Sequence, residues 1–174
     1  MVYQSPDALD VTLDSLPALP RPSRVVLTTP THFDVEYVIN PHMSENVGAV
    51  KKNVAWQQWK ALRAAYTALD CEPVVINGQP GLPDMVFCAN QTLPFYTPET
   101  DTKGVVLSRM HSEHRADEVP YYDRFFSDQD YAVKTLPDDL DADFEGMGDA
   151  LWHPGHRLGR ARLPHESGRV QGPE

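Results

Sequence analysis

An α/β fold is what this sequence predicts, from two features: β-branched apolar runs alternate with stretches of helical periodicity, and a similar order of elements occurs twice along the chain. Its 174 residues suffice for one domain with a good core, because a chain near this size buries roughly two-thirds of its unfolded surface. Sixteen prolines and ten glycines imply many turns between the elements.

Residues 1–23 carry Pro6, Pro17, Pro20 and Pro22 among scattered leucines and read as an extended leader. From Arg24 the run Val25-Val26-Leu27-Thr28-Thr29, closed by Pro30, predicts a buried strand. A polar loop follows over residues 31–43. Val47, Val50, Val54, Trp59, Leu62, Tyr66 and Leu69 recur at spacings of three to five, which predicts an amphipathic helix over about residues 46–69. Ser44 and Asn46 are its candidate N-caps, and Trp56 and Trp59 its core or interface anchors. Pro73-Val74-Val75-Ile76 predicts the second strand. Residues 78–84 are too rich in glycine and proline for regular structure, and Met85-Val86-Phe87 reads as a short strand beyond them. The second round comprises a strand at Val105-Val106-Leu107, a helix over residues 112–128 that Pro120 shortens or kinks, a strand over residues 131–136, and an acidic, glycine-containing loop over residues 144–151.

Charge and composition narrow the partners. Twenty-five acidic against 15 basic residues give a net charge of −10, which repels phosphate backbones and anionic membrane surfaces. Neither nucleic acid nor a membrane is expected as a partner. No run approaches the roughly 18 apolar residues of a membrane helix, and the first residues form neither a basic nor a hydrophobic signal region. Two cysteines, Cys71 and Cys88, do not make a disulfide scaffold, so a reducing, cytoplasmic setting is expected.

The residues that could carry chemistry lie on the loops after each second strand. Asp84 sits on a proline-stiffened turn beside an apolar segment, where it is either presented to a pocket or, as the commoner outcome, bonds its own backbone. Glu145 and Asp149 stand four apart around Gly146 and Gly148, which let the backbone approach a ligand closely. Carboxylates with no Lys or Arg beside them suit a cation, and the forked donors of a guanidinium match them; a solvated acidic turn is the equal alternative. His111 and His114, or His153 and His156, lack the spacing of a zinc site, so no metal is expected. Cys88 has apolar neighbours and no adjacent base, the setting of a buried, inert thiol.

Taken in order, Thr29-Pro30-Thr31-His32-Phe33, Ile39-Asn40-Pro41, Gly81-Leu82-Pro83-Asp84-Met85-Val86-Phe87, Ala89-Asn90 and Glu145-Gly146-x-Gly148-Asp149 resemble the guanidine-modifying enzymes of the pentein superfamily. These include arginine deiminases, dimethylargininases, amidinotransferases and arginine dihydrolases. The resemblance runs over residues 24–156, which it marks as a partial pentein domain. It implies an α/β-propeller of five ββαβ units, of which this chain supplies about two. It also implies a cysteine thiolate that attacks the guanidino carbon, a histidine that moves protons, and no cofactor. On that pattern Asp84, Asn90 and Glu145 line the site of a small guanidino substrate, arginine or methylarginine. Asn40 faces it, Arg109 binds the amino acid's carboxylate, and Asp149 supports its own turn. Position 90 departs from the deiminase and dimethylargininase pattern, which has aspartate there; Asn90 looks like the dihydrolase branch, which removes both guanidino nitrogens as ammonia and leaves ornithine.

The family's histidine, in a His-x-Asp segment, and its nucleophilic cysteine belong to later units. Neither Cys71 nor Cys88 occupies the nucleophile's place, so the chain alone is expected to be inactive. A non-catalytic module for arginine-like cations and an amidinotransferase are the other readings. Residues 157–174 hold four of the ten arginines without periodicity and are expected to be an out-of-frame or disordered tail, from a one-base shift near Arg157. Uncovered propeller faces would make the chain associate, as a homo-oligomer for example.

Overall fold

The computed structural model describes residues 22–39 and 41–150, with His42 described by its backbone alone. Asn40, nearly all of the leader and the whole 157–174 tail therefore lie outside the described residues.

Two rounds of strand and helix follow one another. Strand β1 (Arg24–Thr28) leads through a 3₁₀ turn (Pro41–Asn46) into helix α1 (Lys52–Ala68) and on to β2 (Glu72–Ile76). β1 and β2 pair in parallel, from Arg24 opposite Glu72 to Thr28 opposite Ile76. Parallel neighbours require a crossover, and α1 supplies it. A second 3₁₀ turn (Pro83–Val86) then feeds β3 (Thr92–Thr97), which folds back antiparallel onto β4 (Thr102–Leu107). Helices α2 (Glu113–Ala116) and α3 (Val119–Ser127) carry the chain to β5 (Ala132–Lys134), parallel to β4. The sheets are β1-β2 and β3-β4-β5. The fold is thus mixed α/β with two small sheets, as the alternation implied, and the described residues close no barrel.

Four local expectations need correction or completion. The first helix begins at Lys52 rather than near residue 46, because Gly48 takes φ +67° and breaks the helical path. Ser44 and Asn46 consequently cap nothing in α1: its N-cap is Lys51, and Ser44 Oγ donates to Pro41 O inside the preceding turn. Met85-Val86-Phe87 is not a strand, since Pro83 starts a 3₁₀ turn that the Phe87 N–H closes onto Asp84 O at 2.9 Å. Strand β3 was unforeseen; Pro94 hides it, although a proline is tolerated on the outer strand of a sheet. The second helix is split into α2 and α3 ahead of Pro120, which stands in the first turn of α3 where its missing N–H costs nothing.

The core lies between the sheets and α3. Ile76, Leu82, Met85, Val105, Leu107, Tyr122 and Phe126 form it, with Val26, Val133 and Tyr131 packed at its edge. Tyr122 is its knot: the hydroxyl donates to Met85 O at 2.7 Å and shares a 2.7 Å hydrogen bond with Thr28 Oγ1. One phenol thereby ties α3 to β1 and to the turn that carries Asp84. Helix α1 contributes no buried residue. Its apolar stripe does not meet the core, for Val54, Leu62 and Leu69 are exposed and Trp56 and Trp59 only half-buried. Among the described residues, no helix is long and apolar enough to cross a membrane.

Candidate functional site

Asp84 is set by its turn. Gly81, at φ +77°, reverses the chain, and Pro83 opens the 3₁₀ turn that carries Asp84 into the interior, where it is 3% exposed. The Tyr37 hydroxyl donates to Asp84 Oδ2 at 2.6 Å. Burial, and then the bond to this carboxylate, push the Tyr37 phenol up, so it stays a donor. The Tyr37 ring stacks on His114 at 4.3 Å and 14°.

Asn90 and the Glu145 loop are built against each other. The Asn90 N–H donates to Phe87 O at 3.1 Å, and its carbonyl accepts from Ser108 Oγ at 2.5 Å. Onto this segment sits the 3₁₀ turn Gly146–Gly148. Met147 N–H donates to Ala89 O at 2.9 Å, and Gly146, at φ +55°, lies so close that a Cβ there would stand 2.5 Å from Thr92 O. A Cβ on Gly148 would stand 2.6 Å from Asn90 Nδ2 and 3.9 Å from Glu145 Cβ. Loops more than 50 residues apart in sequence thus meet, and the Glu145 loop lies against the Asn90 segment. Asp149 takes the turn-supporting place, its Oδ2 accepting from the Glu145 N–H at 2.7 Å.

Arg109 is occupied elsewhere. Its backbone bridges to Phe144 by two 2.9 Å hydrogen bonds, and its guanidinium donates to Pro137 O at 3.1 Å, Ala142 O at 3.4 Å and Leu140 O. It clamps the loop that leads to Glu145. His111 Nδ1 lies 2.6 Å from Asp143 Oδ2 on the same loop. Among the described residues, no three His, Cys, Asp or Glu side chains converge as a metal site.

Cys88 Sγ donates to Val26 O at 3.3 Å and Val86 O at 3.6 Å, and burial pushes the thiol up. That is the inert setting the sequence implied. Cys71 is buried as well.

Sequence reasoning missed the groups behind the acidic loops. Tyr37 lies between the Thr29-to-Phe33 and Ile39-to-Pro41 segments and belongs to neither. Arg115 and Glu118 form a buried pair, with Nη2 to Oε2 at 3.2 Å, and Gln91 Nε2 donates to the same oxygen at 2.5 Å. Their opposite charges three apart on a predicted helix were the available signal.

With this geometry in place, similarity to known proteins becomes informative. No protein-family model matches the chain. Over 130 residues, 74% of its length, it is 39% identical to the bifunctional arginine dihydrolase/ornithine cyclodeaminase ArgZ of Synechocystis sp., of which this covers 17%. It is 41% identical over 71 residues to the N(G),N(G)-dimethylarginine dimethylaminohydrolase of Mycobacterium tuberculosis, covering 41% of this chain and 23% of that protein. The crystal structure of the N-terminal domain of ArgZ bound to substrate aligns with a TM-score of 0.66 at 37% identity, over 74% of this chain and 44% of that one. The two α/β rounds, and the agreement with that structure, define an α/β protein of the pentein fold class. The chain belongs to the pentein superfamily of guanidine-modifying enzymes, and it spans less than half the length of these relatives.

Proposed function

We propose that the chain is part of a hydrolase acting on the guanidino group of arginine or methylarginine, with Asp84, Asn90 and Glu145 lining the guanidinium site. The observation that carries this reading is the seating of the Glu145 loop on Asn90 through Gly146 and Gly148. A loop that carries a carboxylate, seated by backbone contacts on the segment that carries an amide, would offer planar acceptors to forked N–H donors with little further ordering. Asn90 favours a dihydrolase-type site, in line with the relative ArgZ. Asn40 would face the substrate. Arg109 could take the substrate's carboxylate only by exchanging its bonds to the 137–142 loop.

The β3-β4-α2-α3-β5 segment reads as one ββαβ propeller unit and β1-α1-β2 as most of another. Free cysteines suit a cytoplasmic setting, and the exposed stripe of α1 suits self-association, which size-exclusion chromatography tests. A sharp monomer peak would count against association.

Hydrolysis of a guanidino C–N bond needs a thiolate to add to the carbon and a group to protonate the departing nitrogen. Burial raises the Cys88 pKa, which disfavours the thiolate that such an attack needs. That same observation favours a second reading, a binding module for arginine-like cations. Calorimetry with L-arginine and N-methylarginine tests the site, beside assays for ammonia, ornithine and citrulline. Binding is expected. Ammonia with ornithine would assign a dihydrolase, citrulline a deiminase or dimethylargininase, and binding without product the module; no binding overturns the reading.

A further inference from the structure

We propose that Glu118 is a positioning residue for the guanidinium site, fixing Asn90 through Gln91 with Arg115 as its counter-ion. The inference rests on the guanidinium reading of Asn90 given above and adds a residue that touches no substrate.

Three features carry it. Glu118 and Gln91 are both fully buried at 0% exposure, and the bond between them, 2.5 Å from Nε2 to Oε2, joins the start of α3 to the residue beside Asn90. Gln91 Oε1 is buried without a partner, so among the described residues that bond is the side chain's one polar tie. The backbone around it is the seat of the whole site. Ser108 N–H donates to Gln91 O at 3.0 Å, Ser108 Oγ to Asn90 O, and Met147 N–H to Ala89 O, so a shift at Gln91 moves Asn90 and the Glu145 loop together.

Arg115 makes the arrangement tenable. Its Nε and Nη2 reach Glu118 Oε1 and Oε2 at 3.4 and 3.2 Å, and its guanidinium lies 5.9 Å over the Phe87 ring. A buried carboxylate without such partners would leave its charge uncompensated. The groups that face Glu118 come from four directions: Arg115 from α2, Asp84 from the turn after β2, Tyr37 from the loop after β1, and the Tyr122 phenol from α3. Burial, chiefly, raises its pKa, Arg115 and Gln91 oppose the rise, and Asp84 adds to it. On acidification Glu118 is therefore protonated before an ordinary carboxylate, and the tie to Arg115 and Gln91 weakens.

The test is calorimetric titration of the full chain with L-arginine from pH 5 to 8, for the unaltered protein, Glu118→Gln, Gln91→Met and the double variant, with thermal melts alongside. Loss of a buried bond to a charged group is expected to weaken arginine about ten-fold at pH 8 in each single variant. The double variant should be no weaker than the singles, since both remove one tie. The unaltered protein should lose affinity in a step above the ordinary carboxylate range, and both variants should lack that step. A merely structural role gives additive losses and leaves the step in place, which overturns the proposal, as does unchanged affinity in Glu118→Gln. Should Glu118→Gln fail to melt cooperatively, Gln91→Met decides by the same two readings. No binding by the unaltered protein overturns the guanidinium reading, and this proposal with it; binding that ignores both variants overturns this proposal alone.

Discussion

Tyr37 donates its phenolic hydrogen to Asp84 Oδ2 across 2.6 Å while its ring lies flat on His114 at 4.3 Å. The loop after β1 is thereby fastened to the turn after β2 through a carboxylate that is 3% exposed. Tyr37→Phe keeps the ring and its stack and removes the donor alone. Leaving a buried acceptor short of a donor costs about 1–3 kcal/mol. At a few degrees per kcal/mol in a chain of this size, the melting midpoint should fall by roughly 3–9 °C. Circular dichroism melts check this, and an unchanged midpoint would show that the bond contributes nothing.

Gly146 and Gly148 touch the same neighbour in different ways, which separates stability from binding. A Cβ on Gly146 meets backbone, Thr92 O at 2.5 Å and Asn90 O at 2.9 Å, at a φ of +55° that L side chains seldom adopt. Gly146→Ala must push the loop away and should cost about 1–3 kcal/mol, together with most arginine affinity. Gly148 has ordinary φ, and the one close contact its Cβ would make is with the end of the Asn90 side chain. Gly148→Ala should therefore melt close to the unaltered protein yet bind arginine more weakly, because Asn90 must swing aside. Equal effects of the two on melting would contradict this distinction.

His111 gives the same loop a pH dependence. The hydrogen bond to Asp143, and then its charge, raise the His111 imidazole above its ordinary value. A group whose folded pKa is raised contributes stability that is complete below its unfolded value and lost as pH rises through the folded one. The tie between the end of β4 and the 137–145 loop is thus strongest in mild acid and loosens on the way to alkaline pH. In an NMR titration, Asp143→Asn should bring the His111 midpoint down toward the ordinary 6.5. A midpoint that does not move would assign the shift to another cause.

What the sequence revealed depended on whether the deciding interactions were local. Val25-Val26-Leu27 and Val74-Val75-Ile76 announce their strands, and the Pro80-to-Asp84 and Glu145-to-Asp149 segments announce turns, because backbone preferences act within a few residues. The start of α1 was misplaced because Val47 and Val50 continue the helical spacing through Gly48, whose positive φ overrides it. Strand β3 was concealed since Pro94 argues against a strand in isolation, whereas its place on the outside of the sheet is a tertiary fact. The acidic candidate residues, Asp84, Glu145 and Asp149, were legible as motifs. Tyr37, Gln91 and Glu118 were not, for their roles exist only once loops from distant parts of the chain meet in the interior.

Arg109 can be assigned by choice of ligand. The resemblance implies that it binds the carboxylate of an amino-acid substrate, while the structure shows its guanidinium on the carbonyls of Pro137, Leu140 and Ala142. Arg109→Ala alone cannot tell these roles apart, because either loss weakens arginine. Agmatine, which is arginine without the carboxylate, separates them. If Arg109 contacts that carboxylate, the variant loses affinity for arginine and keeps its affinity for agmatine. If it serves as the clamp, the 137–145 loop loosens, Glu145 is displaced, and both ligands weaken by the same factor. Nη1 holds the Leu140 and Ala142 carbonyls and Nη2 that of Pro137, a spread over two nitrogens that the single nitrogen of a lysine ammonium does not match, so Arg109→Lys should behave like Arg109→Ala. The geometry favours the clamp: equal losses for the two ligands, about ten-fold for a bond set to a charged group, measured by parallel calorimetric titrations. Selective loss of arginine would show instead that the guanidinium leaves its carbonyls when a carboxylate arrives.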